Sequence, residues 1–462
     1  MFFSCANMNI SNFDREDHNT MKKALTLLCA SFMCLTLAAC GGNGGDTPVE
    51  DTSTAGIVKK ASAMTLTELE AASKAEMQAS KTTFKVVGLT STLTKALQLF
   101  CSTYSDWMTY TTSDVQGNTY CNNSYKDYAL LTALEQADES YFADFALVQD
   151  ARSLADYLEA GITLNYVPAD YKDLGLSDND TYPLKGIHFN KIFFDNKNLG
   201  VNLYNVWQVA GSSSDKDHLN NLSFQSPVTE QINMSFLLSL YAPANQSRLA
   251  TAYKDFYGKD WAASDKYTSV GQEYVTEFIA NVSKWHSSDG TAMKETQCIE
   301  TKVEGQDPFV YYGAFAKMKD AAGKNYDLDG DGTKETNAMS TVGWDINIDG
   351  FNGFMYTMYS QIVKNAEHPY TACLYARFLL TPDCYKAMCY NASTPNKAGE
   401  AANQYGYYYP CASTTVGIND NDWTKDKWIE KSINEDYSYL KDVKASQVNN
   451  ILALVSSNTK VA

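Results

Sequence analysis

Arginine is almost missing from this chain. Four occur in 462 residues, at Arg15, Arg152, Arg248 and Arg377, so few guanidinium forks exist to clamp a phosphate or carboxylate. A positive balance is missing too: 37 Lys and Arg face 54 Asp and Glu, a formal charge of −17. That excludes a nucleic-acid binder working through phosphate contacts and counterion release. Histidine is scarce, and His188, His218, His286 and His368 stand far apart without ligand spacing, which argues against a zinc site. No HExxH, GxSxG, Walker A or GxGxxG occurs, so the residues read as a binding protein and not an enzyme. After residue 40 no apolar run reaches the ~18 residues of a membrane span, which excludes a multi-spanning protein. What is present is core material: 44% of residues are hydrophobic and only 20% charged. That is enough to pack two or three domains, or two lobes with additions.

The first 61 residues carry an address. Residues 1–20 are polar and without targeting logic, an upstream extension. Met21-Lys22-Lys23 then opens a basic segment followed by an apolar run, Ala24 to Ala39. Residues 21–39 therefore describe a secretory signal, too short to span a bilayer. Leu37-Ala38-Ala39-Cys40 resembles the bacterial lipobox. The resemblance implies cleavage before Cys40, lipidation of its thiol, and an extracytoplasmic protein anchored to the bacterial membrane, at the cell surface or in the periplasm. Two acyl chains, at ~0.8 kcal/mol per buried methylene, suffice for lasting attachment. The glycine-rich stretch within 40–61 reads as a flexible tether.

Seven cysteines follow Cys40. In an oxidising compartment some are expected to pair, with Cys101–Cys121 closing a short loop, and Cys384, Cys389 and Cys411 forming a group of undetermined pairing. Cys373, in the helical pattern TACLYARFLL, reads as a buried core thiol.

Thr65-Leu66-Thr67-Glu68 is a capping box that opens a helix running to about Ala79. β-Rich runs at Phe84–Leu89, Met108–Thr112, Phe142–Val148, Lys191–Asn196, Leu222–Phe224 and Pro308–Tyr312 alternate with helical stretches. Those stretches end near Phe100 and cover Tyr125–Gln136, Ala151–Ala160, Gln231–Leu240, Ser247–Tyr257, Tyr274–Lys284 and Tyr370–Leu380. Trp344–Ile348 alternates like a strand, and Trp423–Ser432 and Tyr439–Val455 read as surface helices. The alternation predicts an α/β protein with a mostly parallel open sheet, whose ligands sit at strand carboxyl ends beside helix N-termini.

Four stretches carry a family resemblance: TLTELEAASKAEMQASKTTFKVVGLTS; ADFALVQDARSLADYLEAGITLNYVP; VNLYNVWQVA with LSFQSPVTEQINMSFLLSLYA; and GWDINIDGFNGFMYTMYSQIVKNAEHPYTACLYARFLLTPDCYKAM. In this order behind a lipobox, the chain resembles the type II extracellular solute-binding proteins of bacterial ABC importers, over roughly residues 62–400. The resemblance implies a two-lobed periplasmic-binding-protein-like fold with two hinge crossovers, near Phe193–Leu203 and Gly305–Tyr312. Lobe 1 would span 62–195 and lobe 2 196–310. Residues 311–400 would return to lobe 1 with an acidic loop, and 401–462 would form a C-terminal helical tail. It also implies a monomer that captures a small-molecule or ion solute and delivers it to an ABC permease, with no cofactor required. The fourth stretch places a strand before a Lys-Asn-Ala turn and a packing helix.

Strand ends then nominate cleft residues: Thr90, Ser91, Gln149, Asp150 and Arg152 in the first lobe, and Ser226, Thr229, Ser287, Ser288 and Thr291 in the second. Each serine or threonine is also readable as a plain N-cap. Trp207 and Trp285 read as core or hinge packing. Tyr311-Tyr312 are a tyrosine pair of the kind that ferric-ion-binding members use, since phenolate oxygens suit a hard cation. Asp327, Asp329, Asp331 and Glu335 occupy positions 1, 3, 5 and 9 of a calcium loop, with Gly332 at position 6. Position 12 is Ala338, which leaves two readings open, a Ca²⁺ site that braces the loop or a solvated acidic turn. A surface adhesin or calcium-stabilised binding module with this fold is the rival from another class.

Overall fold

Short apolar runs alternating with helices, several of which open on a capping side chain, build the structure. The computed structural model describes residues 51–88, 92–112, 120–124, 143–195, 202–211, 215, 217–219, 222–292, 310–314, 332–333, 347–389 and 424–458. Helix α1 (Thr54–Ala61) is capped by Ser53, and α2 (Leu66–Ala79) by the expected capping box. There Thr65 Oγ1 accepts from the Glu68 amide at 3.3 Å, and Glu68 Oε2 accepts from the Thr65 amide at 2.9 Å. The first half continues with β1 (Phe84–Gly88), α3 (Thr92–Thr103), β2 (Thr109–Tyr110), β3 (Tyr120–Ser124), β4 (Phe145–Val148), α4 (Ala151–Glu159) and β5 (Thr163–Leu164). A long strand, β6 (Lys185–Asp195), leads out of it. The second half contains β7 (Leu222–Gln225), α5 (Gln231–Ser239), α6 (Pro243–Tyr257), α7 (Val270–Asn281), β8 (Val282–His286) and β9 (Val310–Ala314). A second long strand, β10 (Gly353–Val363), returns to α8 (Pro369–Phe378) and α9 (Pro382–Cys389). The tail adds α10 (Lys425–Lys431), β11 (Ser432–Asn434), α11 (Tyr437–Leu440) and α12 (Ala445–Ser457).

All eleven strands share one sheet, in the order β2-β3-β1-β4-β10-β6-β9-β7-β8, with β5 and β11 also paired to β10. Strands β3, β1 and β4 are parallel to one another, as are β9, β7 and β8. Between these two parallel blocks run β6 and β10, mutually antiparallel and 11 residues each. The end of β10 pairs with β4 through Tyr359↔Val148 to Ile362↔Phe145, while the end of β6 pairs with β9 through Lys191↔Ala314 to Asp195↔Val310. Each long strand therefore starts in one half and finishes in the other.

This differs from the expected crossover positions. The first connection is β6, which begins at Lys185, eight residues before Phe193 and ends at Asp195. The second is β10, whereas Val310–Ala314 belongs to the second half as β9. All eleven residues of β10 are buried, the mark of a strand covered on both faces, which has no period-2 alternation to betray it. Its context was legible: β10 ends just before Lys364-Asn365-Ala366 and the packing helix α8, as the resemblance implies.

Aromatic side chains hold each half. Tyr375 sits edge-on to Phe100 at 5.1 Å and to Phe145 at 5.0 Å, under β1 and β4. In the second half Phe236 meets Phe351 and Phe354 at 5.9 and 5.7 Å, and Trp207 meets Tyr274 at 5.2 Å. Trp207 is thus the core residue it was expected to be, its indole N–H donated to Leu249 O at 3.0 Å.

Three elements depart from the sequence reading. The helix expected to run to Lys284 stops at Asn281, because Val282–His286 pairs with Leu222–Gln225 as β8. The helix expected over Tyr439–Val455 is two helices, α11 and α12. The tail is also no surface addition: β11 pairs in parallel with Gly353–Met355, and Trp428 is completely buried. Cys101, Cys121 and Cys373 are buried free thiols, so the expected Cys101–Cys121 bridge is not formed, and Cys384 is buried as well. The two nevertheless touch, and a hydrogen bond to Cys101, with burial, pushes the Cys121 thiol up. Cys373 is the buried thiol foreseen. The signal, the first part of the tether (40–50) with Cys40, the helix expected at Tyr125–Gln136 and most of the strand expected at Trp344–Ile348 lie outside the described residues. The end of the expected tether is not flexible but forms α1, which buries Val58 and Ala61 against the core.

Candidate functional site

Strand β4 delivers two side chains to the end of the first parallel block. After Val148 come Gln149 and Asp150, and Asp150 is the N-cap of α4. Its carboxylate accepts from the Arg152 and Ser153 amides, both at 3.2 Å, and from Ser153 Oγ at 2.7 Å. The equivalent point in the second half follows β7. There Gln225 ends the strand and Glu230 caps α5, accepting from the Ile232 amide at 3.4 Å. The two helix starts meet. Gln149 Nε2 donates to Glu230 Oε1 at 3.0 Å, and Ser235 Oγ, one turn into α5, donates to Asp150 Oδ1 at 3.0 Å.

Lysine 191 lies beneath this contact on β6. It is 2% exposed, and its Nζ donates to Asn233 Oδ1 at 2.8 Å and pairs with Asp289 at 3.2 Å. A buried ammonium is tolerated only with such partners. Asn233 in turn donates to Gln225 O at 2.8 Å, and Gln225 Nε2 donates to Ser287 O at 3.1 Å. The ends of β7, β8 and α5 are thereby tied to β6. On the opposite flank the tail supplies Glu435, whose Oε2 accepts from the Thr357 amide and the Tyr359 hydroxyl, each at 3.1 Å. Burial, together with nearby Asp150, raises the Glu435 carboxyl to about 8 despite those bonds, which favour its charged form.

With the topology and this junction in view, comparison with solved structures has a meaning. Iron-bound HitA from Pseudomonas aeruginosa is similar at 11% identity and a TM-score of 0.50, over 82% of this chain and 99% of that one. The periplasmic binding protein P5PA is similar at 11% identity and a TM-score of 0.50, over 81% and 99%. The fold is that of a two-lobed periplasmic binding protein. No protein-family model and no curated sequence matches the chain.

In this type II fold, β6 and β10 are the strands that join the lobes, and the meeting of α4 with α5 lies where the lobes face each other. The structure brings Gln149 and Asp150 into that meeting point, with Arg152 half-buried on the first turn of α4. Ser226 and Thr229 stay in the turn before α5: Ser226 Oγ accepts from the Val228 amide, and Thr229 Oγ1 donates to Ser226 O. Ser288 Oγ accepts from the Thr291 amide at 3.2 Å, a local turn at the end of β8, with exposed Ser287 beside it. Tyr311 and Tyr312 hold consecutive positions of β9, opposite Phe194 and Phe193 of β6. Thr90, Ser91, Asp327, Asp329, Asp331 and Glu335 lie outside the described residues.

Six residues were missed: Lys191, Glu230, Asn233, Ser235, Asp289 and Glu435. A signal existed for three of them. The α5 sequence QINMSFLLS is buried along nearly its whole length, so Asn233 and Ser235 had to find partners inside the molecule. For Glu230 the signal was position alone, directly before the apolar helix it caps, since glutamate is not among the usual N-cap residues.

Proposed function

We propose that the chain is a lipid-anchored, extracytoplasmic solute-binding protein that captures a small solute between its lobes and delivers it to the permease of an ABC importer. One observation carries the reading. The N-termini of α4 and α5, one from each lobe, meet through direct hydrogen bonds at a junction joined by two long strands. Contacts of this kind exist only in the closed arrangement, so a solute that adds to them shifts the lobes toward closure. The work is binding and release, with no covalent step. Gln149, Asp150 and Glu230 face the junction, and Lys191 with Asp289 stiffens its floor. Cys40 carries the anchor, and the protein works as a monomer without nucleic acid. If the acidic loop Asp327–Glu335 holds Ca²⁺, the ion braces that loop and takes no part in capture.

The test is scattering and calorimetry on the mature protein with a panel of sugars, amines, organic acids and metal ions. The expected result is a compaction with one solute class, and an affinity about tenfold weaker after Gln149→Ala with Glu230→Ala, from the loss of ~1.4 kcal/mol of closure contacts. No compaction with any solute would instead favour a surface adhesin.

Ferric ion is the second reading of the cargo. It rests on iron in HitA and on the tyrosine pair of the sequence, although Tyr311 and Tyr312 hold consecutive strand positions, which belong to opposite faces of the sheet. An iron–phenolate absorption band that disappears in Tyr311→Phe and Tyr312→Phe would establish it.

A further inference from the structure

A cavity of about 510 Å³ lies where both lobes meet the tail, within the size range of small-molecule sites, roughly 300–1,000 Å³. The segment from Asp178 to Lys185 walls it from lobe 1, Ser239 to Asn245 from lobe 2, and Asn434 to Tyr439 from the tail. Its surface is aromatic and acidic. Tyr182 is 66% exposed, an unusual state for a ring of that size, and the Tyr359 and Tyr437 rings stand 6.2 Å apart. Asp178, Glu435 and Asp436 bring carboxyl groups. Lys185 is the cation of this lining, and its charge is already used, because Nζ pairs with Asp180 at 2.9 Å.

A second observation points the same way. Asn434 Oδ1 is buried and accepts no hydrogen bond, although its amide donates to Ile429 O and Ser432 O. Glu435 Oε1 has at most the Ala151 amide as partner, while Oε2 is doubly bonded. Acceptors short of donors and shut away from water are costly, and a solute whose entry parts the lining and brings a donor against them recovers that cost. Asp178 is itself paired to Lys172 at 3.7 Å, so what the lining offers is acceptors and ring faces with Glu435 and Asp436, the complement of a positively charged nitrogen.

We propose that this cavity binds an organic amine or ammonium ion, with the Tyr182 and Tyr437 rings against its positive end and the Glu435 carboxylate as counter-charge. This rests on the solute-binding reading above and names the class of solute. Both lobes and the tail would touch one molecule, so occupancy couples directly to closure. The groups that act on Glu435 are Asp150 and the Ala151 amide of α4 and Thr357 and Tyr359 of β10, while Lys185 of β6 and the tail residues Asp436, Tyr437 and Tyr439 line the cavity with it. Because burial keeps that carboxyl largely protonated near neutral pH, a bound cation that draws it into its ionised form releases a proton.

The experiment uses the full mature protein with choline and 1,4-diaminobutane, and with citrate and glucose in parallel, by thermal shift and calorimetry. At least one amine is expected to raise the melting temperature. Tyr182→Ala, which touches an exposed ring, should weaken that amine about tenfold while leaving the unliganded melting temperature unchanged. Glu435→Gln should weaken it and remove the dependence of the binding enthalpy on buffer ionisation. The inference is overturned if neither amine shifts the melting temperature, or if Tyr182→Ala and Glu435→Gln bind as tightly as the unaltered protein. A shift with citrate or glucose alone overturns it while leaving the importer reading in place.

Discussion

The carboxyl groups of Glu76 and Glu435 share an unusual balance. Glu76 accepts from the Thr371 amide at 2.8 Å, the Thr371 hydroxyl at 2.7 Å and the Tyr370 amide at 3.0 Å, so an acid on α2 caps the start of α8. Burial outweighs those bonds and raises its carboxyl to about 7, as burial and Asp150 raise Glu435 to about 8. For a carboxyl raised in the folded state, the stability contribution is complete below the unfolded pKa of about 4.5 and is lost as pH climbs through the folded value. His368 adds the same sign: burial alone would lower it, but its hydrogen bond to Asp144 and that carboxylate's charge prevail and raise it. Buried His188, held down to about 3, and His218, also lowered by burial, carry the opposite sign below about pH 6.5. Stability should therefore fall chiefly between about pH 6.5 and pH 9, each fully titrating group contributing a slope of up to about 1.4 kcal/mol per pH unit. Urea unfolding across that range checks it. Glu435→Gln should remove one group's slope up to about pH 8 and Glu76→Gln only up to about pH 7, so the two variants should part above about pH 7. Curves that stay parallel to that of the unaltered protein for both variants would refute the assignment.

At the scale of elements the tail is the part whose role the fold changes most. Arg248 on α6 reaches it, donating Nε to Gly350 O at 3.1 Å, Nη1 to Ser432 O at 2.7 Å and Nη2 to Glu430 O at 2.7 Å. Three carbonyls are thus gathered by one guanidinium, beside the start of β10. A lysine offers no fork, so Arg248→Lys should lose most of what Arg248→Ala loses, about 3 kcal/mol by chemical denaturation. Equal stability of the lysine variant and the unaltered protein would show that geometry is not what counts there. The same region marks the limit of sequence reading. Thr65 and Glu68 announced α2 because a capping box is local, and Gln149 with Asp150 were found because a strand running into an N-cap is local as well. Their partners Glu230 and Ser235 lie some 80 residues away, and no spacing encodes that contact. Strand β11 is three residues long, too short for any period, and its partner strand β10 is buried on both faces. Both became visible only through pairing.

For the whole molecule, charge and attachment pull in opposite directions. The chain carries −17, and the segment ahead of Cys40 holds three acids and three bases, Asp14, Glu16, Asp17, Arg15, Lys22 and Lys23, so its removal changes nothing. An anionic membrane surface repels such a protein, and no polybasic stretch is there to draw it in. No helix among the described residues is long and apolar enough to cross a bilayer. If acyl chains on Cys40 hold the protein at a membrane, as proposed, they do so against electrostatic repulsion. Screening by salt should then leave attachment unchanged or strengthen it, the reverse of a charge-held peripheral protein. In cell fractionation the unaltered protein is expected with membranes at both low and ~1 M salt, and Cys40→Ser is expected in the soluble fraction at either. Salt that strips the unaltered protein, or a Cys40→Ser variant that stays bound, would mean that something other than lipid makes the contact. The lobes would then have to be reconsidered as the membrane-facing surface.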